Sequence, residues 1–163
     1  MSDRFASDLI GSRLELADLG RIRGHYLRLN AADRLNHFRG FIGDDALDAY
    51  VKALDFDRKI FLGLTPAKTG QLVALVELWL DDLGSPDVAE IAVSVDGGWR
   101  GNGLGLQLVA HAADMAFDRG ASTVELHFEP DNHAIKRLVR KLGGRLDSFE
   151  GKADMAAPMP IAA

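Results

Sequence analysis

The pattern of apolar and polar positions divides the chain into a helical first third and a strand-rich remainder. Residues 13–19, RLELADL, predict a short strand. Apolar side chains then recur every three or four residues from Leu19 to Leu29, and a second such run follows Asp44, a residue suited to capping a helix. The first third is therefore predicted to hold one strand and two short helices.

From Lys59 onward, strand-forming sequences alternate with turn signals and helical runs. KIFLGL and QLVALVELWL predict two antiparallel strands joined by a turn that contains Pro66 and Gly70. VAEIAVSV predicts a further strand, followed by a helix that ends at Gly120, the strand STVELHF, and a helix over residues 132–142. A strand–helix–strand order implies a parallel crossover, so we expect an α/β fold with a mixed sheet covered by helices.

Length and composition indicate one globular domain spanning residues 1–163. Hydrophobic residues make up 47% of the chain and charged residues 26%, as in ordinary globular proteins, and we find no internal repeat. The net charge of -5 argues against nucleic acid as the main partner and favours a cationic one. No apolar run reaches the length of a membrane span and no leader pattern is present, so we expect a cytoplasmic protein without a membrane partner.

Three glycines at alternate positions connect a predicted strand to a predicted helix in WRGNGLGLQLV, residues 99–109. Unpaired backbone N–H groups and the helix dipole favour anions at this place, and glycines leave the approach open. The spacing of Gly101, Gly103 and Gly105 differs from the Gly-x-Gly-x-x-Gly fingerprint of dinucleotide sites and from the Gly-Lys-Ser/Thr of triphosphate loops. We therefore expect a phosphate-bearing ligand other than NAD or ATP.

The same stretch resembles the acetyl-coenzyme A motif of the GCN5-related N-acetyltransferases (GNAT), Arg/Gln-x-x-Gly-x-Gly/Ala, which follows the fourth strand of that family. Here the matching residues are Arg100, Gly103 and Gly105 in AEIAVSVDGGWRGNGLGLQLV, and the similarity continues through EPDNHAIKRLVRKLGG. The similar segment covers about residues 88–144. It also resembles the catalytic domains of bacterial protein lysine acetyltransferases.

The resemblance implies the GNAT fold, a mixed and mostly antiparallel sheet with helices on both faces. It also implies acetyl transfer from acetyl-coenzyme A (acetyl-CoA) to a primary amine by direct attack in a ternary complex, without a metal. The amine would belong to a protein lysine, a polyamine or a small metabolite. A non-catalytic module that binds or senses acyl-CoA is the alternative.

The resemblance further implies a set of donor-binding residues. The loop amides would bind the pyrophosphate of coenzyme A (CoA), the fourth strand would pair with the pantetheine arm, and Asn132 would reach that arm or the strand. The set is Val93, Val95, Arg100, Gly101, Asn102, Gly103, Leu104, Gly105 and Asn132. Asn132 is equally suited to capping a helix. Four cations in the last helix would meet the 3'-phosphate or form a solvated face; these are Lys136, Arg137, Arg140 and Lys141.

For catalysis, the resemblance points to Glu90 as the general base, directly or through water. A carboxylate among apolar neighbours would be a stronger base near neutral pH. Strand alternation equally allows Glu90 to lie on a solvent face. The tyrosine that many family members use as general acid has no counterpart, since Val139 stands near that place; Tyr26 and Tyr50 lie in the first helices and receive no role.

The remaining candidates give weaker predictions. His111, His127 and His133 lack the spacing of a metal site, and Ser94 has no His/Asp pair near it in the sequence, so a hydrolase nucleophile is not predicted. Acidic residues before the fourth strand would attract an ammonium group or simply form a solvated loop; they are Asp81, Asp82 and Asp87. Residues 151–163 predict an edge strand or a loose tail, and such a strand could pair two copies into a homodimer.

Overall fold

A computed structural model describes residues 8–80 and 87–157 of the protein. Seven strands form one sheet in the order β1-β2-β3-β4-β5-β7-β6. The strands are β1 (Leu9–Leu14), β2 (Lys59–Pro66), β3 (Ala74–Leu80), β4 (Val88–Val95), β5 (Thr123–His127), β6 (Arg145–Asp147) and β7 (Lys152–Ala156). All neighbouring strands run antiparallel except β4 and β5, which are parallel. The predicted mixed, mostly antiparallel sheet is confirmed.

Helices cover both faces of this sheet. They are α1 (Leu19–Arg28), α2 (Ala31–Phe38), α3 (Asp44–Lys52), α4 (Leu104–Asp118) and α5 (His133–Lys141). One apolar core joins α1 and α3 to the sheet through residues such as Ile22, Leu47 and Phe61. A second, larger core joins α4 and α5 to the opposite face through residues such as Leu108 and Val139. The fold thus confirms helices on both faces, as predicted.

The amino-terminal prediction is wrong in two respects. The first strand ends at Leu14, and residues 16–18 form a 3-10 turn in which the Glu15 N–H donates to Asp18 Oδ2 at 3.0 Å. This local hydrogen bond interrupts the alternation of RLELADL. In addition, a separate helix, α2, was not predicted; Asn30 caps it by accepting from the Asp33 N–H at 2.9 Å. Helix α2 has only eight residues and follows α1 after a gap of two residues, so its pattern is not separate from that of α1 in the sequence.

The carboxyl-terminal prediction also needs correction. The strand found there, β7, lies between β5 and β6 and is not at the sheet edge. The edge is the three-residue strand β6, which was not predicted. Residues 158–163, the last part of the predicted tail, lie outside the described residues, as do Asp81 and Asp82. No helix within the described ranges is long and apolar enough to cross a membrane.

Strand β4 positions the site because its two neighbouring strands pair with it over different lengths. Strand β3 pairs with β4 from Ala89 to Val95, whereas β5 pairs with it only from Val88 to Glu90. Beyond Glu90 the strand has no β5 partner among the described residues. The two parallel strands therefore separate, and the β5-facing edge of β4 opens onto a groove.

Candidate functional site

The groove between the separated ends of β4 and β5 has a volume of about 580 Å³. Ile91 to Val95 of β4 form one wall. The glycine loop, residues 100–103 between β4 and α4, closes one end. Strand β5, the start of α5, and the residues Asp33, Asn36 and His37 of α2 complete the lining. This volume lies within the range of small-molecule sites. The three α2 residues were not predicted because the helix itself was not.

The glycine loop places backbone amides at the mouth of the groove. Gly101 and Gly103 have φ angles of +79° and +76°, a left-handed conformation that glycine adopts without a Cβ penalty. Gly103 is also the N-cap of α4, and within the described chain no side chain caps this helix. The first intrahelical bond runs from the Gln107 N–H to the Gly103 carbonyl at 3.0 Å. The preceding N–H groups therefore remain available to an anion.

Gly105 contributes in a different way, because it lies inside α4 with an ordinary helical backbone. A Cβ at this position would lie 3.6 Å from Val95 Cγ2, 3.6 Å from Leu138 Cδ1 and 4.0 Å from Val93 Cγ2. The helix thus packs closely against β4 and α5 where the groove begins. A larger side chain at position 105 would project among these groups.

The structure brings most of the predicted donor-binding residues together. Those that line the groove are Val93, Val95, Arg100, Gly101, Gly103, Leu104, Gly105 and Asn132. Asn102 does not line it; its exposed side chain turns back and donates to the Trp99 and Arg100 carbonyls at 3.2 and 3.3 Å. The Asn102 amide therefore braces the loop from outside.

Arg100 ties the loop to α2. Its Nη2 forms an ion pair with Asp33 Oδ2, and its Nε donates to the Val95 carbonyl at 3.3 Å. The Arg100 guanidinium thus joins the end of β4 to the opposite wall of the groove. Part of its hydrogen-bonding capacity is already used within the protein.

Two of the four predicted cations reach the groove. Arg137 and Lys141 line it, whereas Lys136 Nζ donates to the Pro130 carbonyl at 2.6 Å and lies over the Phe128 ring. Asn132 caps α5, since its Oδ1 accepts from the Ile135 N–H at 3.2 Å, and it also lines the groove. The end of the groove near α5 therefore combines positive charge with the amino terminus of a helix.

Glu90 is exposed and lies outside the groove lining. It is the last β4 residue paired with β5, opposite Glu125, so it stands where the two strands separate. The expected apolar surroundings are wrong, because the side chain is solvated. Its position next to Ile91, the first β4 residue of the groove, keeps it close to the apex of the opening.

Val139 and the two tyrosines, none of which was assigned a catalytic role, do not line the groove. Val139 is fully buried in the core under α5. Tyr26 and Tyr50 donate their hydroxyls to the carboxylate of Glu77, which also accepts from Lys59 Nζ at 2.9 Å. Burial raises the pKa of both tyrosine hydroxyls, and the Glu77 charge raises it further. These tyrosines are therefore held in a buried polar cluster.

His37 connects that cluster to the groove. Its Nε2 lies 3.2 Å from the Tyr26 hydroxyl and 3.3 Å from Glu77 Oε1, and its side chain lines the groove. Burial alone would raise the pKa of Glu77, but interactions with His37, Lys59 and Tyr26 outweigh it and lower the pKa to about 2. In the sequence, this cluster is indicated by Glu77, the single acidic residue of the apolar strand ALVELWL.

Ser94 lies on the groove wall, where it contacts a histidine that in turn contacts a carboxylate. Its Oγ is 2.8 Å from His25 Nε2, and His25 Nδ1 is 2.8 Å from Asp96 Oδ1. Folding therefore brings a histidine from 69 positions away to Ser94, and the carboxylate belongs to Asp96, two residues further along the chain. His127 and His133 also line the groove, and the described residues contain no group of three potential metal ligands.

The residues of the groove fit an elongated ligand with a phosphate at one end. Free amides and the cations Arg137 and Lys141 suit the phosphate end. The apolar side chains of Val93, Val95 and Leu138, with the unpaired edge of β4, suit an extended chain that carries amide groups.

Comparison with known structures confirms the fold. The GNAT domain of PAT from S. lividans is 19% identical, with a TM-score of 0.74 over 90% of this chain and 89% of that one. The yncA protein from Salmonella typhimurium, solved with its cofactor acetyl-CoA, is 19% identical, with a TM-score of 0.71 over 96% and 98%. Spermidine N-acetyltransferase from Vibrio cholerae, solved with CoA and spermine, is 22% identical, with a TM-score of 0.66 over 87% and 83%.

Comparison of the sequence alone gives the family. No curated protein sequence matches the chain. The family model described as "Acetyltransferase (GNAT) family" matches residues 31–144, which include the glycine loop, β4, β5 and the groove-lining helices α2, α4 and α5. The chain therefore belongs to the GNAT acetyltransferase family.

Proposed function

We propose that the protein transfers an acetyl group from acetyl-CoA to a primary amine by direct attack of the amine on the bound thioester. The observation that carries this proposal is the separation of β4 from β5 beside uncapped amides at the start of α4. Family membership and neighbours solved with acetyl-CoA or CoA support it. Acetyl-CoA would supply an activated acetyl group, and the residues of the chain would hold it.

Each part of the groove has a task in holding the donor. The amides from Gly101 to Gly105 would bind the pyrophosphate, and Arg137 and Lys141 would meet further phosphate charge. The backbone of Val93 and Val95, which has no β5 partner among the described residues, would hydrogen-bond the amides of the pantetheine arm; the Val95 carbonyl already accepts from Arg100 Nε. Asn132 would keep the start of α5 in place beside that arm while capping the helix.

The amine is proposed to arrive at the apex of the opening, beside Glu90. Glu90 places negative charge at the opening, which favours an ammonium group, whereas its register partner Glu125 is paired with Lys152. Glu90 would take the proton through water, as suits a solvated carboxylate. A thiolate is a good leaving group because its conjugate thiol is acidic, so transfer proceeds without a dedicated tyrosine.

The acceptor is proposed to be a polyamine, a protein lysine or another primary amine. The Vibrio cholerae neighbour is a spermidine N-acetyltransferase, and PAT from S. lividans is a further neighbour. A net charge of -5 suits cationic acceptors of each kind. We further propose a cytoplasmic location for this reaction.

The identity of the donor is tested by measuring the unfolding temperature of the protein with different ligands. Acetyl-CoA and CoA should stabilise the protein, by about 2.7 kcal/mol at a concentration of 100 times the dissociation constant, whereas ATP and NAD should not. Release of CoA thiol should then be accelerated by at least one member of an amine panel that includes spermidine and a lysine peptide. Stabilisation by CoA without such acceleration by any amine would favour the sensing module instead.

Replacement of Glu90 tests the base. We expect Glu90→Gln to lower kcat/KM for the amine at neutral pH by about 10²-fold, the lower end of general-base effects, while the stabilisation by CoA persists. The matched control is Glu150→Gln, which removes an exposed carboxylate far along the chain. Equal kcat/KM in the Glu90 and Glu150 variants would refute the assignment.

A further inference from the structure

A serine on the groove wall is backed by an imidazole and a carboxylate. Ser94 Oγ lies 2.8 Å from His25 Nε2 on α1, and His25 Nδ1 lies 2.8 Å from Asp96 Oδ1, just after β4. The Nδ1 and Oδ1 atoms are in ion-pair contact, although their alignment is not that of a hydrogen bond. Such alignment is commonly imperfect in enzymes without bound substrate.

The charges around Asp96 select one form of the histidine. Arg28 Nε donates to Asp96 Oδ2 at 2.8 Å. Burial raises the pKa of Asp96, but interactions with His25 and Arg28 outweigh burial and hold the pKa below its usual range. An anionic Asp96 beside Nδ1 favours the tautomer that carries its proton on Nδ1. Nε2 is then free to accept the Ser94 O–H.

The three side chains differ in their access to solvent. His25 is 0% exposed, so its ring is shielded from water, whereas Ser94 is 8% exposed and lines the groove. Ser94 thus lies at the wall of the groove, and the proton acceptor lies behind it. A nucleophile, a general base and an orienting carboxylate have this order in serine hydrolases.

We propose that Ser94 is a nucleophile that accepts an acetyl group from an ester or thioester in the groove when no amine is present. The Ser94 Oγ forms a bond to the carbonyl carbon as its proton passes to His25 Nε2. The carbon–sulfur or carbon–oxygen bond of the donor then breaks, and the leaving group takes that proton. Water next attacks the acetyl-serine ester, with His25 again carrying the proton, and releases acetate and free Ser94.

This activity goes beyond amine acetylation, and its use of acetyl-CoA rests on the proposed function. The chemistry at Ser94 does not, because a small activated ester can reach the groove without the phosphate end. The full chain is therefore incubated separately with p-nitrophenyl acetate and with acetyl-CoA, without amine. Peptide mass spectrometry locates the acetyl group, and p-nitrophenolate or thiol release gives the rate.

Acetylation of Ser94 by both donors is the expected result. If CoA stabilises the protein but neither donor acetylates Ser94 and release is no faster than in Ser94→Ala, the inference is wrong and the proposed function stands. If p-nitrophenyl acetate acetylates Ser94 but CoA neither binds nor donates, the inference stands and the proposed function fails. Because the acetyl group is located on the unaltered protein, this experiment tests the inference even if a variant does not fold.

Variants distinguish a nucleophilic Ser94 from a Ser94 that has only a structural role. Ser94→Ala should remove the acetylated peptide, and Ser12→Ala, which alters a strand serine outside the groove, should leave its yield unchanged. Asp96 is a positioning residue, and Asp96→Asn should slow Ser94 acetylation by about 10²-fold or more because the histidine tautomer is no longer fixed. An unchanged acetylation rate in folded Asp96→Asn would contradict the relay.

Discussion

At the scale of single residues, the three alternating glycines are not equivalent. Gly101 and Gly103 adopt a left-handed backbone, which turns the chain from β4 into α4. Gly105 has an ordinary helical backbone, and a Cβ there would lie in ordinary van der Waals contact with Val95 and Leu138. Identical residues at equal spacing therefore differ: two are needed for their backbone conformation, whereas the third position has room for an alanine.

This division predicts the effect of substitution at Gly103. Gly103→Ala should destabilise the protein by about 1–2 kcal/mol and weaken CoA binding, because its φ of +76° is strained for alanine. Urea unfolding and CoA titration measure the two effects. The control is Gly20→Ala in α1, where a Cβ meets no described atom within 4 Å and alanine should be neutral or stabilising. Equal unfolding free energies for the two variants would contradict the argument.

At the scale of elements, α5 and β7 meet without room for a side chain at Gly144. A Cβ there would lie 2.7 Å from Val139 Cγ1, 2.8 Å from Met155 Cγ and 2.9 Å from the Asp154 carbonyl oxygen. The first two atoms belong to core side chains and the third to the backbone of an interior strand. The turn after α5 therefore fixes how closely this helix approaches the sheet and, with it, one wall of the groove.

Gly144→Ala should consequently lower the free energy of unfolding by about 1–3 kcal/mol through overpacking. It should also weaken CoA binding, since α5 carries Arg137 and Lys141. Denaturant unfolding and CoA titration are the measurements. Gly40→Ala, where a Cβ meets no described atom within 4 Å, should alter neither quantity strongly. A Gly144 variant as stable as the Gly40 variant would show that the turn can relax.

At the scale of the whole molecule, a buried carboxylate joins the sheet to the helices on one face. Glu77 of β3 accepts hydrogen bonds from Tyr26 of α1 and Tyr50 of α3, and pairs with Lys59 of β2. Burial raises the pKa of Glu77, but His37 of α2, together with Lys59 and Tyr26, outweighs burial and lowers the pKa to about 2 from an ordinary 4.5. One charge thereby connects five elements.

The sign of this shift predicts acid sensitivity. A group whose pKa is lower in the folded state contributes stability that is fully present above its unfolded value and is lost as pH falls through the folded value. Unfolding free energy should therefore decrease between about pH 4.5 and pH 2, and Glu77→Gln should weaken this dependence while destabilising the protein at pH 7. Urea unfolding at several pH values tests it, with Glu150→Gln as the exposed control. An identical pH dependence in both variants would contradict the role of Glu77.

The success of sequence reasoning differed with the range of the interactions involved. The boundaries of β4 and the turn into α4 follow from local periodicity and glycine spacing, so most of the groove was predictable. Helix α2 was missed because it has only eight residues and follows α1 after a gap of two residues, so local periodicity does not separate the two helices. The contacts of His25 with Ser94, and of Tyr26 with Glu77, join residues 69 and 51 positions apart, and no local pattern reports such pairs.

The order of the last two strands has a consequence for how copies of the protein meet. Because β6 lies outside β7, an approaching strand at that end of the sheet finds three residues, with exposed Arg145 and Asp147 among them. Short, charged edges resist the continuous pairing from which aggregates grow. The longer strand β7 is thus covered at that end of the sheet.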